Sequence, residues 1–128
     1  MSPNSLTERI PDSVLAFRGY NTTNLGRTGE LLSHPMFGPV MERHLATAAQ
    51  AASDILHRYV DLVAQVRAAQ ELTLAAYAES LAFILSVELA QLAILRDHFQ
   101  IDWKRARFAY GFSLGEIGAA IAGGVLDL

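Results

Sequence analysis

Gly111-Phe112-Ser113-Leu114-Gly115 is the stretch of this chain that most restricts what it can fold into. A short aromatic run, Arg107-Phe108-Ala109-Tyr110, leads into it, and a run rich in Ala, Gly and Ile over residues 114–122 leaves it. The first has the composition of a strand, the second that of a helix packed closely on a sheet. A G-x-S-x-G pentapeptide between strand and helix is the arrangement a nucleophile elbow requires. The serine occupies a sharp turn, and glycines two residues before and after it remove Cβ atoms that would strike the neighbouring strand and helix. The fold class that accommodates such a turn is α/β, a parallel sheet with flanking helices.

The rest of the chain fits that class. Ser13-Val14-Leu15-Ala16-Phe17, set between Pro11 and Gly19, predicts a short buried strand. Residues 18–29 collect Gly19, Asn21, Asn24 and Gly26 with three threonines, the composition of a loop with unusual backbone angles. From Pro39, residues Val40, Met41, Leu45, Ala48, Ala52, Ile55, Leu56, Tyr59, Val60 and Val63 fall on one broad helical face. Residues 72–95 predict a second helix, apolar nearly all round and therefore central. It is long enough to span a bilayer, but Glu79, Ser86, Glu88 and Gln91 interrupt it. Each mid-membrane carboxylate would cost about 2.5 to 3.5 kcal/mol, so a buried helix of a soluble fold is expected, with no membrane partner.

Composition narrows the chemistry. At 128 residues the chain is the size of one domain, and with 52% apolar and 18% charged residues it has the material for a core. A formal charge of -3 supplies no positive field for nucleic acid or an anionic membrane. The absence of cysteine excludes thiol catalysis, disulfides and Cys-type zinc sites. His34, His44, His57 and His98 include no i, i+4 pair of the kind that holds a metal on a helix. The N-terminus lacks the basic start and apolar core of a secretory signal, so a cytoplasmic location is expected.

Chemistry is left to Ser113. At the N-terminus of a helix its hydroxyl meets unsatisfied N–H groups and a dipole that favour developing negative charge. The Leu114 N–H would face the oxyanion of an acyl intermediate. A second donor should come from the loop after another strand, and Gly19-Tyr20 is the candidate. The bland alternative is an ordinary strand-to-helix turn with Ser113 as the helix N-cap. Lys104, Arg105 and Arg107 are read as a solvated edge before the strand, although they could also meet an acidic partner or phosphates.

The longer string Gly111-Phe112-Ser113-Leu114-Gly115-Glu116, continued by Ala119-Ala120 and Ala122-Gly123-Gly124-Val125-Leu126, resembles the G-H-S-L-G-E signature and following helix of acyl-carrier-protein acyltransferases. These are the malonyl-CoA:acyl-carrier-protein transacylase domains of fatty acid and polyketide synthesis. Phe17-Arg18-Gly19-Tyr20-Asn21-Thr22-Thr23 is similar to the family's F-P-G-Q-G-S-Q loop after its first strand. Gly29-Glu30-Leu31-Leu32 with Pro35-Met36-Phe37 is similar to its G-x-x-L and P-x-F stretch. Arg18 stands where the family has proline, Tyr20 where it has glutamine, and Phe112 where it has histidine.

The resemblance implies transfer of a malonyl-type acyl group from coenzyme A, through an acyl-Ser113, to the phosphopantetheine thiol of an acyl carrier protein. It implies Leu114 and Tyr20 as backbone oxyanion donors, Glu79 on the substrate side, acyl-CoA as substrate, and no bound cofactor or metal. The family's catalytic histidine and carboxylate-binding arginine fall beyond Leu128 in this alignment. Residues 1–128 are therefore expected to be a single partial acyltransferase domain, inactive or nearly so alone, whose unpaired sheet edges favour self-association. The rival readings are a serine hydrolase of the esterase or patatin-like type, with water as acceptor, and a non-catalytic remnant acting as an interaction module.

Overall fold

In the computed structural model, residues 3–127 are described, and for residues 3–5 the backbone alone. The chain is helix-rich, with one small parallel sheet flanked by helices. It divides into two compact units, Met1–Gly19 with Gln91–Leu128, and Tyr20–Ala90.

The first unit holds the sheet. Helix α1 (Pro3–Arg9) runs into a single 3-10 turn, Ile10–Asp12, and then strand β1 (Val14–Phe17). β1 pairs in parallel with β2 (Phe108–Gly111), with Val14 opposite Phe108 and Phe17 opposite Gly111. Arg107 N–H donates to the Ser13 carbonyl at 2.9 Å just before the register begins, and Phe112 N–H donates to the Phe17 carbonyl at 3.3 Å just after it. Helix α6 (Gly115–Ala122) follows β2 and packs on both strands. Gly124, at φ +75°, ends it as a left-handed cap, with Val125 N–H returning to the Ala120 carbonyl. Trp103 is buried in this unit, and its indole N–H donates to the Leu92 carbonyl at 2.9 Å, which gives the one polar atom of a large apolar group its partner.

The expectation of a buried first strand is corrected. Only Phe17 is buried in β1, and Val14 and Ala16 face solvent alongside Phe108 and Tyr110 on the neighbouring strand. A two-stranded sheet carrying α6 on one face leaves its other face open, so the strand alternates instead of burying both sides.

The second unit is helical. α2 (Thr28–Ser33), α3 (Gly38–Leu56) and α4 (Leu62–Arg67) pack against one another around Leu32, Met41, Leu45, Leu62 and Val66. The single helix expected over residues 39–63 is two helices. α3 stops at His57, which adopts φ +53°, and the Asp61 carboxylate caps α4 by accepting from the Ala64 N–H at 2.9 Å. Ile55 and Tyr59, expected on the buried face, are 76% and 82% exposed because the break ends that face.

Helix α5 (Tyr77–Phe99) begins after a 3-10 turn at Leu74–Ala76, later than the expected residue 72, and contributes to both units. Residues Leu74–Phe99 are long and apolar enough to cross a membrane by length and composition, and half of their most apolar window is buried inside the fold. Of the residues that interrupt its apolar run, Glu79, Ser86 and Glu88 are buried, as is Ser80 beside Glu79, and Gln91 is exposed. The serine hydroxyls are satisfied within the helix, Ser80 donating to the Ala76 carbonyl and Ser86 to that of Phe83, each at 2.8 Å.

Candidate functional site

The turn between β2 and α6 is built by three glycines and one strained serine. Ser113 has φ +55°, in the left-handed region that a residue with a Cβ avoids. A Cβ on Gly111 would overlap the Gly115 carbonyl group and come within 2.5 Å of the Glu116 nitrogen. One on Gly115 would overlap the Phe17 carbonyl and approach the Arg18 carbonyl oxygen to 2.9 Å. These neighbours are backbone atoms, so no side chain can swing away to make room. The third glycine lies two residues after the other strand: a Cβ on Gly19 would lie 2.7 Å from the Phe112 carbonyl oxygen and 3.2 Å from Ser113 Cβ. The segment that leaves β1 is thus folded directly against the Ser113 turn.

Hydrogen bonds close the turn from inside. Gly115 N–H donates to the Phe112 carbonyl, Glu116 N–H to that of Ser113 and Ile117 N–H to that of Leu114, each at 3.0 Å. The Leu114 N–H enters no hydrogen bond among the described residues, and it lies 3.7 Å from where a Gly19 Cβ would be. Ser113 is exposed, and its hydroxyl makes no cap to the first turn of α6, whose N-cap position is held by Leu114. The N-cap alternative therefore does not describe this serine. Phe112, beside it, is 81% exposed.

Two further residues singled out by sequence, Tyr20 and Glu79, belong to the second unit. Tyr20 opens the second unit, where its ring meets Tyr77 edge-on at 5.2 Å. Glu79 is buried in that unit and its carboxylate forms an ion pair with Arg58. Burial of a carboxylate is offset when a guanidinium meets it, and this pairing gives Glu79 a structural partner that the sequence did not reveal. Glu71 was also not singled out. Its carboxylate accepts the N–H groups of Asn24, Leu25 and Leu72 at 2.7 to 3.3 Å, and so fixes the end of the glycine- and threonine-containing loop. A lone loop carboxylate carries no sequence signal for such a role.

Three of the histidines have local tasks. His34 Nδ1 accepts from the Met36 and Phe37 N–H groups while its ring stacks on Phe37 at 4.1 Å. His44 Nδ1 lies 2.9 Å from the Val40 carbonyl one turn back. His57 terminates α3. His98 stands in the last turn of α5, in the unit that carries Ser113. Lys104, Arg105 and Arg107 are exposed, with the Lys104 ammonium 5.8 Å from the Trp103 ring centre. A groove of about 690 Å³ lies between α3 and α4, lined by Ser53, Tyr59, Asp61 and Arg67 among others, wholly within the helical unit. No cluster of three or more potential metal ligands occurs among the described residues.

Comparison with protein-family models, curated proteins and solved structures finds none that matches this chain.

Proposed function

We propose that the chain carries the nucleophile-bearing part of a serine acyltransferase of the malonyl-CoA:acyl-carrier-protein kind, with Ser113 as nucleophile and the turn around it as a nucleophile elbow. One observation carries the reading: an exposed serine at φ +55° between a strand and a helix, with glycines at 111, 115 and 19 where no Cβ fits. Non-glycine residues in this region cost of order 1–3 kcal/mol and persist where the surroundings over-determine them, which happens disproportionately at functional sites.

In the proposed reaction the Ser113 hydroxyl oxygen attacks the thioester carbonyl of acyl-CoA. A C–O bond forms, the carbonyl oxygen takes negative charge, and the thiolate of coenzyme A leaves as the tetrahedral intermediate collapses. The Leu114 N–H, with no protein acceptor among the described residues, and the Tyr20 N–H are the proposed donors to that oxygen. The serine proton passes to a base, the role that a histidine holds in the family the chain resembles. The phosphopantetheine thiol of an acyl carrier protein then takes the acyl group by the reverse steps.

The test is incubation with malonyl-CoA in the presence of imidazole as proton acceptor, followed by peptide mass spectrometry. A malonyl adduct on Ser113, absent in Ser113→Ala and discharged faster by pantetheine than by water, is the expected result. An adduct that water discharges as fast turns the reading to a hydrolase. No adduct on Ser113 overturns it.

A further inference from the structure

Gly19 is the residue of the β1 exit that lies against Ser113, and having no Cβ it leaves the following peptide group the widest choice of orientation. A side-chain hydrogen bond narrows that choice. Arg18 is exposed, yet its side chain turns back along its own chain, and its Nε–H donates to the Gly19 carbonyl at 3.2 Å. That carbonyl is one end of a planar peptide group whose other end is the Tyr20 N–H. The described chain has no cis peptide bond, so the two ends point in opposite directions. A donor that holds the carbonyl therefore fixes the direction of the N–H as well.

We propose that Arg18 is a positioning residue for acyl transfer at Ser113: its guanidinium locks and polarises the Gly19 peptide, so that the N–H of that peptide is set before the reaction begins. The inference rests on the acyltransferase reading above and adds to it a residue that departs from the family's loop. A cationic donor draws electron density toward the carbonyl oxygen and makes the N–H of the same peptide a stronger donor. Fixing it beforehand matters because a donor that must turn during the reaction loses most of its advantage. Proline, the family's residue here, stiffens the chain through its ring but offers no donor. Arg18 achieves the orientation through a hydrogen bond instead.

The experiment measures the rate of Ser113 labelling by an alkyl fluorophosphonate, with imidazole supplied as proton acceptor and over a range of probe concentrations, in the full chain and in Arg18→Met, Arg18→Gln and Arg18→Lys. Glutamine places an N–H at the same point along the side chain as arginine Nε. Methionine places carbon there, and lysine keeps the charge one atom further out. The expected result is a maximal rate about tenfold lower in Arg18→Met with the half-saturating concentration unchanged, as for loss of one charge-assisted hydrogen bond. Arg18→Gln should recover most of that rate and Arg18→Lys should not. Equal rates in the unsubstituted chain and Arg18→Met overturn the inference, as does a fast Arg18→Lys beside a slow Arg18→Gln, which would make charge alone the agent. Should Arg18→Met fail to fold by circular dichroism, the glutamine and lysine variants decide between the same two outcomes. An unlabelled Ser113 in the unsubstituted chain removes the nucleophile itself, and this inference with it. A labelled Ser113 indifferent to Arg18 removes the inference alone.

Discussion

His57 and Ser113 have nearly the same backbone angle, φ +53° and +55°, and opposite reasons for it. His57 ends a helix. So do Ala69 and Gln100, the other two described non-glycine residues with positive φ, and their following N–H groups return to the carbonyls of Gln65 and Leu95 as the left-handed helix cap demands. Around His57 the chain is open: the residue is exposed, and the link to α4 is held by side chains, the Ser53 hydroxyl accepting from the Val60 N–H and Asp61 capping the next helix. Ser113 instead follows a strand and precedes a helix. It is held by backbone packed so closely that three glycines are needed to admit it. The same angle is thus a cheap way of stopping in one place and a built constraint in the other.

Four substitutions would break or sharpen that contrast. The largest effect is expected from Gly111→Ala, whose Cβ meets only backbone; urea unfolding followed by circular dichroism should show a loss of about 3 kcal/mol or more. A loss under 1 kcal/mol would mean that the turn yields easily and is no constraint.

Asp61→Ala should cost about 1 kcal/mol at neutral pH, the usual value of an N-cap. The Asp61 carboxyl is held below the usual carboxylate range, first by the Ala64 N–H and then by the Tyr59 hydroxyl. A folded value below the unfolded one adds stability that is full above the unfolded value and disappears as pH falls through the folded one. The difference between Asp61→Ala and the unsubstituted chain should therefore shrink as the unfolding series is carried into acid. A difference independent of pH would contradict the cap.

The smallest effect separates the two left-handed residues most cleanly. His57→Gly and Ser113→Gly each relieve a strained φ and should each raise stability by up to about 1 kcal/mol in thermal melts. Only the second should abolish reaction with a serine-directed probe, so stability and chemistry would part at Ser113 and not at His57.

The contrast also explains what could be read from sequence. The turn was legible because its constraint is written in residue types: glycine at 111 and 115, a short aromatic run before and a small-residue run after. β1 was legible as a short apolar run between Pro11 and Gly19, although not the exposure of Val14 and Ala16, which depends on how many strands the sheet has. The break at His57 was not legible. Apolar residues continue at helical spacing through Val63, and nothing in the residue type of a histidine announces a left-handed angle. Glu79 could be placed on a helix but not given its partner, since Arg58 lies 21 residues away and only the fold brings the pair together. Arg18 stood in the sequence as a departure from a proline, and its hydrogen bond to the Gly19 carbonyl became visible only in the fold.

Fluorophosphonate labelling of the folded chain with imidazole supplied as proton acceptor, the modified residue mapped by peptide mass spectrometry, tests the central claim most directly. A single adduct on Ser113, lost in Ser113→Ala while Ser53, Ser80 and Ser86 stay unmodified, is the predicted result. Adducts that persist in Ser113→Ala, or a folded chain that takes none, would contradict it and leave the strained turn as architecture alone.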